Sequence, residues 1–119
     1  MKTYQGTCHC GAVVFEVTAD IVELRKCNCS LCTRRGAQTI PVKGDELRIV
    51  AGEDSLSVYQ FNTKVAKHYI CKICGIYTFH RPRTGPQDWG VNSGCLAGLD
   101  RASLPIKPVD GQSFTVEAS

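Results

Sequence analysis

The stretch Cys8-His9-Cys10-Gly11-Ala12-Val13-Val14-Phe15-Glu16-Val17-Thr18 runs from a pair of thiols straight into an alternating apolar segment. In an extended segment residues i and i+2 point to the same side, so Cys8 and Cys10 present two sulfurs together while His9 points away. Over Ala12 to Thr18, Val13, Phe15 and Val17 share one face and Ala12, Val14 and Glu16 the other. That period of two is the mark of a half-buried strand. A thiol pair opening a strand predicts a β-rich chain whose turns are held by metal.

Further along, Glu46 to Val50, Ser55 to Asn62, Lys67 to Cys71, Ile76 to His80 and Asp88 to Ser93 read as short strands. Each is flanked by Gly, Pro, Asp or Asn, the residues that punctuate strands. Only Ser30 to Arg35 and Leu96 to Leu104 offer room for helices, and neither is long enough to be stable alone. The fold class expected is therefore all-β or β-rich. No repeat, low-complexity run or linker divides the 119 residues, so 1–119 is read as one zinc-binding domain.

Seven of the eight cysteines lie in three clusters: Cys8 and Cys10; Cys27, Cys29 and Cys32; Cys71 and Cys74. Thiols one to three residues apart converge on a point, as a soft four-coordinate ion such as Zn²⁺ requires. Cys71-Lys72-Ile73-Cys74-Gly75 is a chelating turn, with Gly75 free to take the backbone conformation that such a turn forces after its second ligand. The early pair and the late pair together complete a tetrahedron with Zn–S distances of about 2.3 Å, a structural site clipping distant segments. Three thiols remain. Either Cys27, Cys29 and Cys32 hold a second zinc with one position open, or Cys95 closes that site, or the pairs divide differently. A disulfide framework is the competing reading of so many cysteines.

Composition narrows the partners. The segment Met1-Lys2-Thr3-Tyr4-Gln5-Gly6-Thr7 lacks the apolar run of an export signal, and no stretch approaches the ~20 apolar residues of a membrane span. A cytoplasmic protein is expected, in which clustered thiols bind metal more often than they pair. The formal net charge is +3. Seven thiolates around two dications bring it to about zero, which argues against a nucleic-acid partner.

Four motifs, Gly6-Thr7-Cys8-His9-Cys10-Gly11-Ala12-Val13, Cys27-Asn28-Cys29-Ser30-Leu31-Cys32, Cys71-Lys72-Ile73-Cys74-Gly75 and Val91-Asn92-Ser93-Gly94-Cys95-Leu96, resemble the glutathione-dependent formaldehyde-activating enzyme family, which is grouped with centromere protein V. The resemblance runs in order from about Gly6 to Leu99. It implies a coiled, all-β Mss-four-like fold. It also implies a structural zinc on Cys8, Cys10, Cys71 and Cys74, and a second, open zinc on Cys27, Cys29 and Cys32, with Cys95 not a ligand; with only three thiolates, that second zinc is expected to be the more labile. The implied activity is carbon–sulfur lyase chemistry, making or breaking S-hydroxymethylglutathione, with a small thiol such as glutathione as partner. The chain is compact beside the best-described members, with little room for added segments to cradle a tripeptide.

Other residues are weighed against blander roles. Arg34 and Arg35, directly after the tripod, are candidates for binding substrate carboxylates. Trp89 is a candidate pocket wall, its alternative being core. Asn92 is a candidate hydrogen-bonding group near the open site. His68 and His80 flank the second chelating turn as candidate proton relays or structural histidines, and His9 is the weaker third. Arg81-Pro82-Arg83 reads as a solvated turn. The functions that compete with the enzyme are a zinc-stabilised protein-binding module and a redox- or metal-sensing thiol protein.

Overall fold

The computed structural model describes residues 1–61 and 64–110. The strands are β1 (Lys2–Thr7), β2 (Val14–Ala19), β3 (Leu24–Cys27), β4 (Thr39–Val42), β5 (Leu47–Ala51), β6 (Leu56–Tyr59), β7 (Lys67–Cys71), β8 (Tyr77–Arg81), β9 (Trp89–Asn92) and β10 (Ile106–Val109), with helix α1 (Ser30–Arg35) between β3 and β4. They form a small sheet in the order β1-β2-β5 and a larger one in the order β10-β3-β4-β9-β8-β7-β6. The β-rich architecture expected from the sequence is thus found. Among the described residues no helix is long and apolar enough to cross a membrane.

The core lies between the sheets. Val13, Phe15 and Val17, which the alternation places on one face, are all fully buried. Phe15 of β2 meets Phe79 of β8 edge to face, with centroids 5.1 Å apart, and Phe79 meets Trp89 of β9 in the same way at 5.1 Å. Such edge-to-face contacts add to the burial of large rings. Gly6, opposite Phe15 in the β1–β2 register, leaves room for that ring: a Cβ there would come within 2.3 Å of its Cζ.

Helix α1 has the bounds read from the sequence. Its start is set by Cys29, whose Sγ accepts from the Cys32 N–H at 3.3 Å. Its end is Gly36, at φ 69°, whose N–H bonds the Cys32 carbonyl. The second expected helix, Leu96 to Leu104, is not formed. Leu96 instead bridges Gly6, the Ala97 N–H bonds the Gln5 carbonyl, and Gly98 turns at φ 79°. Only a 3₁₀ turn over Arg101–Ser103 remains. A left-handed glycine and a β-bridge both remove the backbone from the helical path.

Strands β1, β3, β4 and β10 were not foreseen. β4 carries Pro41, which ordinarily argues against an interior strand. It is tolerated because β4 pairs with β3 only at Arg25↔Thr39, leaving Pro41 laddered to β9 alone. β10 carries Pro108 on the sheet's outer edge, running parallel to β3. The expected strand from Ser55 ends at Tyr59, and Asn62, its expected last residue, lies outside the described residues.

Candidate functional site

Folding brings Cys8 and Cys10 onto Cys71 and Cys74, with all four sulfurs within 4.8 Å of one another. The Cys8 and Cys10 sulfurs are 3.6 Å apart, and those of Cys10 and Cys71 are 3.8 Å apart. A tetrahedron of sulfurs about 2.3 Å from a central ion has edges of about 3.8 Å, so the donor set fits a metal. The turn that supplies the late pair is closed by Gly75 at φ 79°, whose N–H bonds the Cys71 carbonyl at 2.8 Å. Val13 donates its N–H to the Cys8 sulfur at 3.3 Å, tying the group to the first inward residue of the core. His9 points outward and is exposed.

Cys27, Cys29 and Cys32 form a separate group, their sulfurs also within 4.8 Å. Cys27 ends β3, Cys29 caps α1 and Cys32 sits in its first turn, so a strand end and a helix start fix the tripod. The Cys29 N–H points at the Cys27 sulfur at 3.4 Å. A hydrogen bond from the Cys32 thiol lowers the Cys27 thiol to about 5 against the cost of its burial, helped by the Cys29 N–H and by the charge of Arg83. Cys32 is driven far upward by the same pairing and by burial.

Cys95 belongs to neither group of three or four. Its thiol points at the Tyr77 carbonyl, 3.7 Å away, and burial raises it to about 11. All eight cysteines are free thiols. Both clusters could hold a metal ion.

The tripod opens onto a cleft of about 190 Å³, whose walls also include Arg25, His68, His80, Arg83 and Trp89. Trp89 serves both roles weighed for it: it is buried in the core and also lines the cleft, while Arg81 stacks 3.3 Å above its ring. Arg34 and Arg35 do not line the cleft. Arg34 turns outward and bonds the Ser30 carbonyl at 3.0 Å. Arg35 turns inward behind the tripod, 3.4 Å over the Tyr77 ring, with Nη2 3.6 Å from the Cys32 sulfur. Asn92 is also away from the cleft: it donates to the Tyr77 carbonyl at 2.8 Å and caps the 3₁₀ turn Ser93–Cys95 by accepting from the Gly94 N–H.

The cleft arginines are instead Arg25 and Arg83, neither singled out as a ligand-binding residue in the sequence. Arg25 sits mid-strand in β3, two residues before Cys27, a spacing that places both side chains on one face of the strand. That period was the available signal. Arg83 belongs to the Arg81-Pro82-Arg83 segment read as a solvated turn; the structure corrects this, since Arg83 lines the cleft and Arg81 covers Trp89.

Comparison with known proteins agrees with the geometry. A family model described as glutathione-dependent formaldehyde-activating enzyme matches residues 3–115. A curated protein of Halomonas elongata, named "Putative glutathione-dependent formaldehyde-activating enzyme", is 32% identical over 79 residues, which cover 59% of this chain and 50% of that protein. The chain therefore matches about half the length of that curated relative. A crystal structure of a Rhodobacter sphaeroides protein is similar at a TM-score of 0.77 and 42% identity, covering 87% of this chain and 99% of that one. With two cysteine groups converged as its motifs require and a family match over nearly its whole length, the chain belongs to the glutathione-dependent formaldehyde-activating enzyme family.

Proposed function

We propose that this chain is a zinc-dependent enzyme of carbon–sulfur lyase type that makes or breaks the adduct of glutathione, or a related small thiol, with formaldehyde. The observation that carries this reading is the placement of the cysteine tripod at the wall of a cleft, while the four-cysteine group does not line it. Cys8, Cys10, Cys71 and Cys74 would hold a structural zinc, having four ligands and therefore no vacancy. Cys27, Cys29 and Cys32 would hold the second, more labile zinc. A zinc ion held there would lower the pKa of a substrate thiol so that it binds as thiolate at neutral pH.

The protein's own residues supply the rest. Arg25 and Arg83 bring positive charge to the cleft, and among its described lining residues none is acidic. A thiol carrying a carboxylate is favoured in such a cleft over a neutral or cationic one. Trp89 and Phe61 give it apolar walls that limit water around the reacting groups. Eight free thiols suit a reducing compartment, the cytoplasm, and the core shared by the two sheets supports reading 1–119 as one domain.

The test is exchange NMR between S-hydroxymethylglutathione and free formaldehyde with glutathione, at known zinc content. The zinc-loaded protein should accelerate exchange over the uncatalysed rate, and Cys29→Ser should not. A second reading, a non-catalytic zinc-stabilised binding module, draws on Val58 and Tyr59, exposed on the edge strand β6. Zinc-loaded protein that leaves the exchange rate unchanged favours that reading.

A further inference from the structure

We infer that His68 is a catalytic hydrogen-bond donor in the cleft, presenting its Nε2–H to the aldehyde oxygen, with Arg35 as the positioning residue that fixes the imidazole in that form. This rests on the reaction proposed above and names a group that reaction needs but the cysteines do not supply.

The argument starts from hydrogen-bond polarity. Arg35 Nη1 lies 3.2 Å from His68 Nδ1. A guanidinium can only donate, so Nδ1 must accept, and the single proton of a neutral imidazole is left on Nε2. His68 is only 5% exposed, yet it forms part of the wall of the cleft that holds the tripod. The ring is held in place by His80, stacked on it with centroids 5.1 Å apart, and by Phe61 at 5.9 Å. His80 is itself anchored, its Nδ1 2.6 Å from the Tyr77 hydroxyl. Gly90 makes room for it, since a Cβ there would come within 2.2 Å of the His80 ring.

Arg35 joins this wall to the tripod. Its Nη1 reaches His68 while its Nη2 lies 3.6 Å from the Cys32 sulfur. One rigid guanidinium therefore sets the imidazole relative to a sulfur of the reactive group. The same arrangement keeps His68 neutral: burial, then the charges of Arg35 and Arg83, lower it to about 4.

The chemistry fits a donor rather than a proton shuttle. The substrate thiol has lost its proton to solvent when its sulfur attacks the carbonyl carbon. The C–S bond forms, the C=O π pair moves onto oxygen, and that oxygen takes a proton from water to give the hydroxymethyl group. His68 keeps its own proton throughout, because Nδ1 faces a cation and has no proton to receive. Its role is to stabilise the charge developing on oxygen, an effect whose removal in other enzymes costs about 10²–10³-fold in kcat.

Three measurements test this on the zinc-loaded protein. Nitrogen NMR of the His68 ring should show the neutral Nε2–H tautomer at neutral pH. In the exchange experiment, His68→Phe retains an aromatic ring for the stack but removes the donor, and kcat should fall about 10²-fold with KM for glutathione little changed. His68→Gln, whose amide nitrogen can stand near Nε2, should recover part of the loss. The neutral Nδ1–H tautomer, an imidazolium at neutral pH, or a His68→Phe protein with wild-type kcat overturns the inference and leaves the proposed reaction standing. Wild-type protein that does not accelerate exchange overturns the reaction, and this role with it.

Discussion

Arg35 and His68, thirty-three residues apart, face each other at 3.2 Å, with the guanidinium over the Tyr77 ring and 3.6 Å from the Cys32 sulfur. A single helix-terminal side chain thus ties α1 to the larger sheet. Replacing it with methionine should leave a filled but uncharged space. The His68 ring, lowered to about 4 by burial and then by Arg35 and Arg83, should titrate measurably higher by NMR in Arg35→Met. Stability should drop by about 1–3 kcal/mol for the lost hydrogen bond and cation–π contact. An unmoved His68 titration would show that this contact does not govern the imidazole.

Acid should destabilise the fold through the same histidines. His68 is lowered to about 4, by burial first, and His80 to about 3, by burial and then by the charges of His68 and Arg35. Unfolded histidines titrate at about 6.5, so from there down to about 4 the unfolded chain binds more protons than the folded one. Their contribution is fully present above about 6.5 and lost as pH falls through that window. Chemical denaturation of wild type and His68→Gln at matched metal content measures it: the loss between about pH 7 and about pH 5 should be smaller in the variant.

Cys71→Ser should unfold the chain or abolish its cooperative thermal transition. Cys71 is fully buried and ends β7, and its sulfur group joins the turn after β1 to the β7–β8 turn. Metal binding at such a site contributes directly to folding free energy. A melting transition equal to wild type would show that the four-cysteine group does not support the fold.

Cys29→Ser should lose one zinc per chain and retain the fold. Serine is itself a good helix cap, so the N–H of Cys32 keeps an acceptor and α1 its start. Cys95→Ala should keep both zincs, because that thiol faces the Tyr77 carbonyl and joins neither group. Metal content by elemental analysis, beside the melting transition, decides both.

Arg83→Gln should raise KM for glutathione about tenfold, equivalent to roughly 1.4 kcal/mol of lost charge-assisted binding, and change it little for a neutral thiol such as mercaptoethanol. Equal effects on both thiols would remove Arg83 from carboxylate recognition.

Local pattern settled much of this protein. The alternation around Phe15 grouped Val13, Phe15 and Val17 on the one face of β2 that the fold buries, because a strand's period of two is a property of the backbone alone. The spacings within Cys27, Cys29 and Cys32, and within Cys71 to Cys74, marked chelating turns because sulfurs so close in sequence have few other places to go. The segment Ser30 to Arg35 could be read as a helix, and its cap, Cys29, and its terminal glycine, Gly36, stand directly beside it in the sequence. Tertiary structure decided the rest. Arg34 and Arg35 are neighbours with the same chemistry, yet one meets solvent and the other is drawn inward onto Tyr77 and His68 of a sheet that has not yet formed when α1 is read in isolation. Arg25 and Arg83 stand beside one cleft because β3 and the segment after β8 are brought together by the strand order of the larger sheet. That order depends on which apolar faces bury against each other across the whole chain, and no local spacing encodes it.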